Sequence, residues 1–131
     1  MIVLDTHAWV WWIGRPELLS EKAMQRIDGA MDDGSIHISS ISCWEVSLLV
    51  KKGRLELTKD VEDWVAASEA LPFFRFVPVD NRIALRSNLL TGRLNEDPAD
   101  RIIIATAMVL GATLITKDRK IRSYSGVETL W

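Results

Sequence analysis

A chain of 131 residues, 48% apolar and 26% charged, has room for one hydrophobic core and little for a second. A net charge of −2 excludes an overall polyanion-binding surface, and the single cysteine, Cys43, excludes an internal disulfide and favours a reducing compartment. No basic leader precedes the acid at position 5 of MIVLDTHAWVWW, and the longest apolar run, Ile102 to Ile115, is too short for a bilayer, so the expectation is a cytoplasmic protein without a membrane partner.

Ile2-Val3-Leu4 reads as a short buried strand ended by Asp5. His7 to Ile13 follows as a helix stopped by Gly14 and Pro16. Ser20 caps a second helix, whose Ala23, Ile27, Ala30 and Met31 recur at helical spacing until Asp33-Gly34 breaks it. Ile36 to Ser39 is the second strand. A helix through Trp44 and Glu45 runs to about Gly53, with Ile41, Trp44, Glu45 and Leu48 expected on its inward face. Val61 to Ala70 is helical and closed by Pro72. Phe76 to Val79 is expected as a third strand, weakened by Pro78. Ile83, Ala84 and Leu85 belong to a helix that fades toward Thr91-Gly92. Asp97-Pro98 opens a strong helix over Ala99 to Leu110, with Asp100, Ile103, Ile104 and Ala107 on one face. Thr113 to Thr116 is a fourth strand, a turn of helix follows Asp118, and Val127 to Leu130 is a last strand.

Short apolar strands alternating with longer amphipathic helices predict the α/β class, as a three-layer α/β/α sandwich with a mainly parallel central sheet, in one domain over residues 1–131. Ligands of such sheets bind beyond the carboxyl ends of the strands. Asp5 stands directly after the first strand, Glu45 follows the second, Asp100 opens the helix leading into the fourth, and Asp118 lies just past that strand. Each acid has a capping alternative. Ser42 and Glu45 match a capping box, Asp97 and Asp100 flank Pro98 at a helix start, and Asp5 and Asp118 precede helices. Independent caps have no reason to gather at one end of the sheet. Clustered carboxylates repel unless a cation sits among them, and a hard divalent ion, Mg²⁺ or Mn²⁺, suits oxygen donors.

Other chemistries lack their residues. GxGxxG, GxxxxGK[ST] and GxSxG are absent, and one cysteine with two histidines argues against a zinc finger. His7 reads as a structural or surface histidine. Trp9, Trp11 and Trp12 offer stacking rings, but Trp9 and Trp12 are helical neighbours and fit a core. Half of the sixteen Lys and Arg fall between Arg82 and Arg122, and Lys117, Arg119, Lys120 and Arg122 form a cluster that is either a solvated turn or a phosphate contact.

LDTHAWVWW at 4–12, ISSISCWEVSLLVKKGRLEL at 38–57, DPADRIIIATA at 97–107 and LITKDRKIRSY at 114–124 occur in an order and spacing that resembles the PIN-domain ribonucleases, and most nearly the VapC-like toxins of toxin–antitoxin pairs. The resemblance implies a parallel α/β/α sheet with an acidic cluster that holds Mg²⁺ or Mn²⁺ and hydrolyses RNA phosphodiesters by in-line attack of water. It implies that Asp5, Asp100 and Asp118 are metal ligands and that Glu45 orients a water, all four being catalytic. Thr116 is implied to bond into the cluster or bind substrate, and Arg119 and Lys120 to hold RNA phosphates. Asp97 is kept as a helix cap. Asn95 stands where related sequences often carry histidine. A VapB-like antitoxin partner, docking in part on the Trp-rich first helix, and a homodimer are implied as well. The competing readings are a non-catalytic RNA-binding or regulatory PIN module, an α/β protein whose acids are only caps, and a DNA or flap nuclease, which would need added elements that 131 residues do not provide.

Overall fold

The computed structural model describes residues 1–131 except Arg93 and Asn95. The departure noted at Asn95 therefore lies outside the described residues. A five-stranded, fully parallel sheet with strand order β3-β2-β1-β4-β5 forms the middle layer. Its strands are β1 (Ile2–Leu4), β2 (Ile36–Ser39), β3 (Phe74–Val77), β4 (Thr113–Ile115) and β5 (Thr129–Leu130). The helices are α1 (Thr6–Gly14), α2 (Glu21–Met31), α3 (Ser40–Lys51), α4 (Val61–Glu69), α5 (Asn81–Asn88), α6 (Pro98–Leu110) and α7 (Arg119–Arg122).

The central strand explains the layering. Ile2, Val3 and Leu4 are all fully buried, because helices cover both faces of a parallel sheet. Successive side chains point to opposite faces. Ile2 and Leu4 enter a core with Trp9, Ile27, Ile38 and Trp64, supplied by α1, α2 and α4. Val3 enters the other core with Ile103, Ile104, Leu114 and Ile121, supplied by α6, β4 and α7. α3 serves both, with Val46 in the first core and Ile41 against the second. α6 stops at Gly111, whose φ of 65° is a left-handed cap that lets the chain turn at once into β4.

Two expectations are corrected here. The third strand covers Phe74–Val77 rather than 76–79, since Pro78 ends the ladder instead of sitting in it. The inward face of α3 carries Ser42 and Val46, both fully buried, while Trp44 is 55% exposed. α3 packs against α1, α4 and α6 together, and those neighbours select a different stripe from the apolar one that the sequence suggests.

The strand order fixes the place of the site. The chain winds outward from β1 through β2 to β3, then returns to the other side of β1 for β4 and β5. The helices after β1 and β4 consequently leave toward opposite faces, and the crevice between their starts is where open α/β sheets hold ligands.

Candidate active site

β1 and β4 run in register, with Leu4 beside Ile115, and the ladder continues one bond further as the Asp5 amide donates to the Ile115 carbonyl at 3.0 Å. That bond sets Asp5 next to Thr116. The Asp5 carboxylate is only 7% exposed and is pinned by two donors. The Thr6 amide donates to Oδ1 at 2.8 Å and the Thr116 hydroxyl to Oδ2 at 2.7 Å. Thr116 Oγ1 in turn accepts the Asp118 amide at 3.1 Å, so the two acids share one buried hydroxyl as a hinge point.

Glu45 reaches the same crevice from α3. The Thr6 hydroxyl donates to Glu45 Oε1 at 2.6 Å. It also pairs with Ser42 Oγ at 2.8 Å, and since its one proton goes to the carboxylate it accepts from Ser42 there. The capping-box alternative fails on this geometry. β2 runs straight into α3, Ser39 is the N-cap through its bond from the Ile41 amide, and Ser42 is buried inside the helix. Glu45 is therefore aimed at Thr6 and Asp5.

Asp97 accepts the Ala99 and Asp100 amides at 2.9 and 3.2 Å, as a cap for α6 should. It holds Asp100 in the first turn, facing the same crevice. Asp118 caps α7 through the Lys120 and Ile121 amides at 2.8 and 3.2 Å. Capping and site placement are not exclusive for Asp5, Asp97 or Asp118. Asp97 and Asp118 cap through Oδ1, and each carboxylate oxygen, including both of Asp5, has more than one lone pair to offer.

Asp5, Glu45, Asp97, Asp100 and Asp118 line one open pocket of about 510 Å³, together with His7, Trp11 and Lys117. Burial pushes the Asp5 carboxyl above the usual range, against the Thr116 and Thr6 bonds and His7, with Asp118 adding to the rise. Burial does the same to Glu45, opposed by its Thr6 bond and His7 and assisted by Asp5 and Asp97. Such a pocket strains toward a cation. The donors are all hard oxygens, which fit Mg²⁺ or Mn²⁺. Among the described residues no group of three or more His, Cys, Asp or Glu side chains forms a ready-made cage.

Thr116 is fully buried and its hydroxyl bonds into the acidic cluster, at Asp5. Arg119 and Lys120 are exposed and border the acids in a neighbouring cleft. Thr6 and Ser42 were not expected in the site, whereas His7 and Lys117, for each of which the sequence left a structural or solvated alternative, line the pocket. Thr6 carried a signal, since it follows Asp5 at a strand end. His7 lies exposed with its ring 5.5 Å from Trp11, and the Lys117 ammonium sits 5.6 Å over the same indole. Of the first-helix tryptophans, Trp9 is core, bonded through Nε1 to Ser68, and Trp12 packs edge-on against Phe73 and Phe74. Trp11 is the one that reaches the pocket.

The PIN domain family model matches residues 2–127. The chain is 33% identical over 123 residues to Ribonuclease VapC22 of Mycobacterium tuberculosis, covering 94% of this chain and 91% of that protein. Among solved structures it is similar to FitAcB from Neisseria gonorrhoeae, at 24% identity and a TM-score of 0.72 over 100% of this chain and 97% of that one. It is also similar to a toxin–antitoxin complex from Klebsiella pneumoniae, at 25% identity and a TM-score of 0.65 over 97% and 95% of the two chains. The chain belongs to the PIN-domain family.

Proposed function

We propose that this PIN-domain chain is a metal-dependent endoribonuclease that hydrolyses RNA phosphodiester bonds and serves as the toxin of a toxin–antitoxin pair. The observation that carries the reading is the convergence of Asp5, Glu45, Asp100 and Asp118 on one pocket at the carboxyl ends of β1 and β4. A relative that is a ribonuclease and a structural neighbour solved as a toxin–antitoxin complex support it.

Asp5, Asp100 and Asp118 would hold Mg²⁺, or Mn²⁺ in its place. When bound, the ion would neutralise the pocket, lower the pKa of water and offset charge on the phosphoryl oxygens. The protein's own part is positioning. Thr116 and the Thr6 amide fix the Asp5 carboxylate. The Thr6 hydroxyl fixes one oxygen of Glu45 and leaves the other to orient the attacking water. Arg119 and Lys120 stand beside the acids to hold substrate phosphates.

The same reading gives a VapB-like antitoxin that covers the pocket, with half-buried Trp11 as a docking ring beside the acids. It gives a homodimer as well. Among the described residues no helix is long and apolar enough to cross a membrane, and with the unpaired Cys43 this supports action in the cytoplasm. All four acids are retained, which disfavours a binding-only module. The test is cleavage of total RNA by antitoxin-free wild type and Asp5→Asn, each with Mg²⁺, Mn²⁺ or EDTA. Metal-dependent cleavage lost in Asp5→Asn is expected. No cleavage by folded wild type under any condition would turn the reading toward RNA binding alone.

A further inference from the structure

Beside the acidic pocket lies a second hollow of about 570 Å³ whose charged side chains, among the described residues, are all basic. Lys22 of α2 and Arg119 and Arg122 of α7 line it, and Trp131 forms part of its wall. All three cations are exposed. Among the described residues the ion pair found is Arg15 with Glu17, and no carboxylate lies within 4.0 Å of Lys22, Arg119 or Arg122. In a chain of net charge −2, three unpaired cations around one hollow run against the average surface.

Two features join this hollow to the acids. Arg119 lines it and also lines the cleft that contains Asp97, Asp100 and Asp118. Trp131 meets Trp11 with ring centres 6.0 Å apart at 61°, and Trp11 lines the acidic pocket. An acid-lined site repels the polyanion it has to cut. Among the described residues Lys117 and His7 are the basic side chains on that pocket's own lining. Cations just outside it would hold the neighbouring phosphates and offset the repulsion, guanidinium groups by paired bonds to phosphate oxygens. An indole in the same wall gives a base a face on which to stack.

We propose that this hollow is a second RNA subsite, which grips the backbone of single-stranded nucleotides flanking the scissile bond through Lys22, Arg119 and Arg122. The proposal rests on the ribonuclease reading. An acidic protein segment would meet the same cations, but the shared Arg119 and the stacking indole favour a nucleic acid strand that continues into the acidic pocket.

The test is anisotropy of a labelled oligoadenylate octamer and of the dinucleotide across a KCl series in Mg²⁺. It uses the Asp100→Asn background, so that nothing is cut. Lys22→Ala/Arg122→Ala is compared with Lys51→Ala/Lys52→Ala, the same charge change at the far end of α3, and melting curves check that both fold. Loss of two contacts should make the salt slope shallower by about 1.4, at about 0.7 per phosphate for single strands. The octamer's advantage over the dinucleotide should shrink with it, while the α3 variant keeps the parent slope. No octamer binding at the lowest salt, or equal slopes in the two double variants, overturns the subsite, including the case in which the hollow variant loses an acidic protein partner instead. The readout does not depend on cleavage. Wild type that cuts RNA while the slopes stay equal would remove the subsite alone, and wild type that never cuts would remove the ribonuclease reading alone.

Discussion

The acidic pocket and the basic hollow are neighbours made in opposite ways. In the first, short side chains stand on strand ends and helix starts, and bonds of 2.6 to 3.2 Å fix their oxygens. In the second, Lys22, Arg119 and Arg122 are long, exposed and held by little. The contrast separates two tasks. Chemistry at a phosphodiester needs atoms placed within a fraction of an ångström, whereas holding a flexible strand needs charge in roughly the right place. Damage to the first region should therefore be steep and geometric. Damage to the second should be graded and cancelled by salt.

The steepest expected loss comes from the acids. Asp5→Asn or Asp100→Asn should lower RNA cleavage by about 10²-fold or more, measured as initial rates in saturating Mg²⁺, because each removes a charged ligand from the pocket. Thr116→Val keeps the shape but takes the donor from a buried carboxylate. About 10- to 100-fold loss of activity or metal affinity is expected, as for other residues that orient metal ligands. Chemical denaturation should show about 1–3 kcal/mol of destabilisation beside it. If Thr116→Val were silent in both assays, the shared hydroxyl would not organise the pocket. At the small end, Asp97→Ala should cost about 1 kcal/mol as a lost helix cap, with Asp97→Asn close to wild type in stability. Urea titrations of the pair check this, and equal losses in both would mean that Asp97 acts through its charge and not as a cap.

Much of the acidic pocket was legible because Asp5, Asp97, Asp100 and Asp118 sit at boundaries that residue patterns mark well. Ile2-Val3-Leu4 before Asp5 and Asp97-Pro98 before Asp100 announce a strand end and a helix start. What the patterns did not carry was the convergence through Thr6 and Thr116, since strand register is set by pairing partners far apart in the chain. The capping-box alternative at the start of α3 fails for a related reason. Ser39 and Ser42 are both acceptable caps, and only the direct passage from β2 into the helix decides for Ser39. The exposure of Trp44 was hidden because three helices contact α3, so its buried side follows no single apolar stripe. The basic hollow was half visible, as the run from Lys117 to Arg122. Its other wall, Lys22 and Trp131, is distant in sequence and became apparent only once β5 had paired with β4.

The raised Asp5 and Glu45 carboxyls also set the sign of a pH effect. In the unfolded chain both ionise at ordinary values, so the folded state keeps its protons longer. Their contribution to stability is complete below the ordinary carboxylate pKa and is lost as pH rises through the raised folded-state values. At neutral pH that contribution is reduced and the metal-free pocket opposes folding, and a cation in the pocket should reverse that opposition.

The most direct test is the melting temperature of wild type and Asp5→Asn at neutral pH, each in EDTA and in excess Mn²⁺. In EDTA Asp5→Asn should melt a few degrees higher than wild type, and in Mn²⁺ wild type should gain and overtake it. If Asp5→Asn melts with wild type in EDTA and Mn²⁺ moves neither, Asp5 is only a cap and the acids are not gathered for a metal.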